Sequence, residues 1–163
     1  MKNLSIILVF ATLLNFGFAQ EAGEIFNNNE LLKLFGEVKQ SVDFKTEELK
    51  NLIPLAGEHI MFRIISDDVV ILDQHRQQLY PYDKDADYDE KTVFKFFSVS
   101  VLNRLLQSAD YHKVIFEERE KALVVKYKNK SMERGRQCPP YCPKEGYADN
   151  FRYLNIYMVN AVN

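Results

Sequence analysis

113-KVIFEEREKALVVKYK-128 is the stretch on which the fold of this chain turns. It reads as two strands, 113–118 and 121–128, joined by a charged turn at Arg119 and Glu120. The β-branched and aromatic residues Val114, Ile115, Phe116, Val124, Val125 and Tyr127 suit a pleated surface, and the charges between them break it. Glu117, Glu118 and Glu120 gather at that turn. Paired carboxylates serve acid–base chemistry in some enzymes, but a solvated hairpin tip also explains them.

Upstream of the hairpin the pattern is helical first. Leu31, Leu34, Phe35, Val38 and Val42 recur at helical spacing, which predicts a helix from an Asn29 cap to about Val42. Gly36 weakens that helix without being expected to end it. A second helix is predicted over 46–53, with Thr46 as cap and Glu47 and Glu48 in its first turn, ending at Pro54 and Gly57. From Glu58 the period becomes two. Ile60, Phe62 and Ile64 share one face and Met61, Arg63 and Ile65 the other.

A turn at 66–68 leads into a buried strand over 69–73, and 77–80 reads as a short outer strand. Residues 81–91 form an acidic loop, and 92–97 suit either a strand or a first helical turn. Val101, Leu102, Leu105, Leu106 and Ala109 line one face of a helix over 98–109. After the hairpin come a turn at Asn129 and Lys130, an edge strand over 131–137, a two-cysteine loop and a last alternating strand over 152–159. Helices among hairpins, with no regular strand–helix–strand crossover, predict an α+β fold. Its antiparallel sheet should have about five to seven strands, with two or three helices on one face. The element order resembles cystatin-like folds, a helix laid on a curled antiparallel sheet, and that resemblance implies no function.

Residues 1–19 read as a secretion signal: Lys2 near the start, an apolar run over 4–16, and Gly17-Phe18-Ala19 before a cleavage expected ahead of Gln20. The apolar run is shorter than the ~20 residues a membrane span needs. Removing 19 residues from 163 leaves 144, the size of one domain over 20–163 with a mobile lead-in at 20–28. With Lys2 gone, 20 Lys and Arg face 23 Asp and Glu, a net charge of −3. That balance offers no basic face for nucleic acid. No second long apolar run follows, so no span is expected in the mature chain. High Phe and Tyr content without Trp points to a packed domain rather than disorder.

Cys138-Pro139-Pro140-Tyr141-Cys142-Pro143 is the segment with most chemical individuality. In an exported protein two thiols this close are expected to be oxidised to each other, giving a local staple. The CP-x-x-CP spelling resembles the copper-binding loop of the Sco copper chaperones, which implies copper held by both thiolates and a distant His. The resemblance covers these six residues, and no His follows His112. Thiol–disulfide exchange is the other chemistry of such a pair, although it favours Cys-x-x-Cys at a helix N-terminus.

Asp83, Asp85, Asp87 and Asp89 alternate as calcium ligands do, yet the sixth and twelfth places of an EF-hand hold Tyr88 and Phe94. They could form only a weak extracellular calcium site. Tyr141, Tyr147, Tyr153 and Tyr157 could make a binding face together with Pro139 and Pro140. His59, His75 and His112 lack metal-ligand spacing and read as surface residues. No G-x-S-x-G, Walker loop or H-E-x-x-H occurs.

The expectation is an exported, non-enzymatic domain that binds a protein or small ligand and needs no cofactor. The alternative is a thiol-redox or copper-handling protein using Cys138 and Cys142.

Overall fold

A computed structural model describes residues 21–82, 86, 88, 89, 91–107, 111–138, 141 and 142. These residues form an α+β fold with ten strands in two antiparallel sheets and three short α-helices. The predicted hairpin is present as β7 (Lys113–Arg119) and β8 (Leu123–Tyr127), with Phe116 opposite Val125. On one side β2 (Val38–Lys45) pairs with β7. On the other, β9 (Lys130–Glu133) pairs with β8, and β1 (Glu24–Asn27) pairs with β9. The first sheet therefore runs β1-β9-β8-β7-β2.

The second sheet runs β10-β6-β3-β4-β5, from β10 (Arg136–Cys138) through β6 (Phe94–Ser98), β3 (His59–Ile65) and β4 (Asp68–Leu72) to β5 (Gln78–Tyr80). The two sheets share one core. Val114, Phe116, Val125, Tyr127 and Met132 of the first meet Ile60, Phe62, Ile64, Val69, Ile71 and Phe97 of the second. Phe62 lies 5.0 Å from Phe116, centroid to centroid. Burying each such side chain fully contributes about 1.5–3 kcal/mol.

Helix α2 (Thr46–Leu52) adds Leu49 and Leu52 to this core, and α3 (Val99–Leu105) adds Val101, Leu102 and Leu105. Helix α1 (Leu31–Phe35) packs elsewhere, with Leu31 and Phe35 against Ala122 and Val124. Val124 alternates with the core-facing Leu123 and Val125, so α1 covers the outer face of the first sheet. The helices are thus divided between the inter-sheet core and an outer face, where a single sheet had predicted one common face.

Several local expectations change. The first helix stops at Gly36, whose φ of 79° suits glycine and whose N–H donates to Leu32 O. Val38 and Val42, counted in a helical stripe, lie in β2 instead, where Val42 and Phe44 turn to the core side. The period of two won because β2 pairs with β7 from Gln40 to Lys45 and in doing so turns Val42 and Phe44 to the core. Thr46 does not cap α2. Lys45 holds the cap position, and the Thr46 hydroxyl is buried without a hydrogen-bond partner among the described residues.

The ambiguous VFKFF stretch is strand β6. The expected edge strand over 131–137 is two strands, β9 and β10, that belong to different sheets. Arg134, at φ 60°, and Gly135 make the crossing. The expected mobile lead-in is partly β1, and Ala22 is almost fully buried. Ala22 N–H donates to Ser98 Oγ at 2.8 Å, and Glu21 accepts from Ser100 and Arg104. These bonds tie the start of the domain to the β6–α3 junction. The expected signal at 1–19 and strand at 152–159 lie outside the described residues.

Candidate functional site

Alternation in β6 puts Phe94 and Phe96 on one face of the second sheet and Lys95 and Phe97 on the other. Lys95 therefore points between the sheets. It stands in register with Phe62 on one neighbour and Gln137 on the other. In β7 the same rule puts Glu118 on the side of Val114 and Phe116, opposite Leu123 of β8. The core rows of both sheets thus end in charged residues at the same end of the sandwich.

A cleft of about 200 Å³ opens there, with Phe62, Ile64 and Leu123 as its apolar lining and Lys95, Glu118 and Gln137 among its polar groups. Lys95 Nζ lies 3.4 Å from both Glu133 Oε1 and Gly135 O, so the β9–β10 crossing orients the ammonium. Arg63, at the rim, donates to Val93 O at 2.5 Å. The sequence does carry a signal for this site: Lys95 and Glu118 fall by alternation on the faces that Phe97 of β6 and Val114 and Phe116 of β7 turn to the core.

The acidic cluster of the hairpin divides among three tasks. Glu117, on the outer face, is buried and accepts from Arg119 Nε at 2.8 Å, Arg119 Nη2 at 2.6 Å and Lys126 Nζ at 2.5 Å. Arg119 also donates to Gly36 O at 2.8 Å, which fastens the end of α1 to the hairpin. Glu117 is therefore a structural anion held by two cations, whereas Glu118 faces the cleft. Glu120 N–H donates to Glu37 O, and the Glu120 side chain lies beside Gly36.

Cys138 and Cys142 are joined in a disulfide with a Cα separation of 4.5 Å. Cys138 is fully buried in a second core on the outer face of the second sheet, with Met61, Val70, Leu72, Phe94 and Phe96. Cys142 packs half-buried against it, and Tyr141 is exposed. Arg76 reaches this pair from the β4–β5 turn. Its Nη1 donates to Cys138 O at 3.1 Å and lies 3.4 Å from Cys138 Sγ, while Nη2 donates to Thr92 O. Its guanidinium stacks 5.3 Å from the centroid of Phe94. The buried Asp73 carboxylate shapes that turn by accepting from the N–H groups of His75 and Gln77.

The acidic loop has a packing role. Ala86 and Tyr88 lie on the second core, with Tyr88 5.1 Å from Phe94. Asp89 Oδ1 accepts from Lys91 N–H and Thr92 Oγ1, so that carboxylate shapes its own turn. Asp83, Asp85 and Asp87 of the expected calcium set lie outside the described residues. So do Pro139, Pro140, Tyr147, Tyr153 and Tyr157 of the expected binding face. Among the described residues no three of His, Cys, Asp and Glu are grouped to hold a metal ion.

His59, expected at the surface, is buried instead, with its ring 5.4 Å from Phe96. Burial lowers its pKa below the usual value; Glu58 opposes that shift and Arg136 reinforces it. No helix among the described residues is long and apolar enough to cross a membrane. The chain matches no protein-family model, no curated protein and no solved structure.

Proposed function

We propose that this protein is an exported, non-enzymatic binding domain whose recognition site is the cleft between the two sheets. The leader at residues 1–19 and the local disulfide support export. The observation that carries the binding reading is the Lys95–Glu118 end of the sandwich, where an apolar lining meets charges of both signs. Concave apolar surface with a few converging polar groups is the usual form of a ligand site.

Its volume is below the ~300–1,000 Å³ of sites for drug-sized ligands, so it suits a ligand no larger than one amino-acid residue. An apolar body would lie against Phe62, Ile64 and Leu123, with a carboxylate at Lys95 and an ammonium at Glu118. Titration of the full exported chain with free leucine and phenylalanine, read by amide NMR, tests this. Shifts centred on Lys95, Leu123 and Gln137 that vanish in Leu123→Trp are expected. Spectra unchanged at millimolar amino acid would overturn it.

A second reading, thiol exchange at Cys138 and Cys142, is supported by the contact between Arg76 and Cys138 Sγ.

A further inference from the structure

The two sulfurs of the disulfide differ in access and in electrostatics. Cys138 is fully buried on the second core, whereas Cys142 is part-exposed beside the exposed Tyr141. Arg76 places a guanidinium nitrogen 3.4 Å from Cys138 Sγ. That guanidinium is held by Cys138 O and Thr92 O and by the Phe94 face, so it is positioned before any reaction. Arg76 itself sits at φ 65° in a turn that the Asp73 carboxylate closes from inside. The backbone of the β4–β5 turn thus aims a fixed positive charge at one sulfur of the pair.

We propose that Cys138–Cys142 is a polarised thiol-exchange site in which a small thiol attacks Cys142 and Cys138 departs as a thiolate stabilised by Arg76. This rests on the second reading above and is independent of the cleft. In the first step the incoming thiolate bonds to Cys142 Sγ, and the Cys138–Cys142 bond breaks with its electron pair on Cys138. A second thiol then attacks the mixed disulfide, which leaves both cysteines reduced and two small thiols joined as their disulfide. The proton of one thiol ends on Cys142, and that of the other passes to solvent, leaving Cys138 as the thiolate beside Arg76.

The leaving sulfur governs the rate of such a step, because a more stable thiolate departs faster. A neighbouring arginine stabilises a thiolate, while apolar burial opposes it. At Cys138 the guanidinium is at hydrogen-bond range and opposes the effect of the surrounding apolar wall. Half-burial of Cys142 admits a small thiol more readily than a cysteine of a folded partner.

The test uses the oxidised full chain and glutathione. Acid-quenched mixed disulfide, located by peptide mass spectrometry, should carry glutathione on Cys142. Glutathione on Cys138, or shared equally, would overturn the assignment, and no mixed disulfide at all would sink the exchange reading itself. In glutathione redox buffers Arg76→Gln should lower the equilibrium constant for reduction about tenfold, or about 30 mV for this two-electron couple. Arg76→Lys should retain most of it. An unchanged constant in a folded Arg76→Gln protein would remove Arg76 from the mechanism while leaving exchange standing. If that variant does not fold, Arg76→Lys and the site of the mixed disulfide in the natural chain still decide.

Discussion

Single residues in this protein carry ionisable groups into places where the strand pattern alone would put apolar groups. His59 is one of them: it opens β3, lies buried against Phe96, and burial lowers its pKa from the usual 6.5. A histidine whose folded pKa is depressed binds its proton more readily when unfolded. The stability tied to its neutral ring is therefore present above pH 6.5 and is lost as pH falls from there toward the folded pKa. Melting temperature should fall between pH 7 and pH 5, and His59→Gln should flatten that fall. Parallel pH–melting curves for the two proteins would refute it. Glu117 is a contrasting case: its buried carboxylate is met by Arg119 and Lys126 at ion-pair distance.

At the scale of elements, the crossing between β9 and β10 decides whether the two sheets join correctly. Arg134 turns the chain at φ 60°, and Gly135 passes close to the second sheet. A Cβ at residue 135 would meet the Phe97 ring at 2.6 Å and Phe96 O at 2.8 Å. Backbone cannot swing away as a flexible side chain can, so Gly135→Ala must displace β10 or the core aromatic. A cost of about 1–3 kcal/mol is expected, as for other overpacked positions. Chemical denaturation should report it, with increased hydrogen exchange in β10. A variant as stable as the natural chain would mean that this crossing tolerates more space than its geometry shows.

The whole molecule draws its stability from the inter-sheet core, and the disulfide closes only a loop on an outer face. So small a ring removes little entropy from the unfolded chain. On the loop-entropy account its contribution should lie below the ~3 kcal/mol of a fifteen-residue loop. Cys138→Ser with Cys142→Ser should therefore keep both sheets, with a modest loss of stability. Circular dichroism and a thermal melt of the double variant check this. A chain that fails to fold would show that the second core depends on the staple. The acidic loop belongs to the same argument, since Ala86 and Tyr88 help cover the face that Cys138 shares.

Much of this architecture could be read from residues alone, because it depends on local periodicity. Alternation marked the 113–128 hairpin and the two faces of β3, and the spacing of Val101, Leu102 and Leu105 marked α3. The proximity of two cysteines anticipated their bond. What periodicity cannot contain is the partner of each face. Val38 and Val42 fit a helical stripe until pairing with β7 gave them a better use. One continuous stretch, 130–138, became two strands because Arg134 and Gly135 let each half join a different sheet. The cleft and the Arg76–Cys138 contact are likewise products of assembly. They bring Lys95 to the end of the sandwich where Glu118 lies, and Arg76 to a sulfur 62 residues away. Such distant meetings depend on which sheets stack and in what register, and no stretch of sequence encodes that by itself.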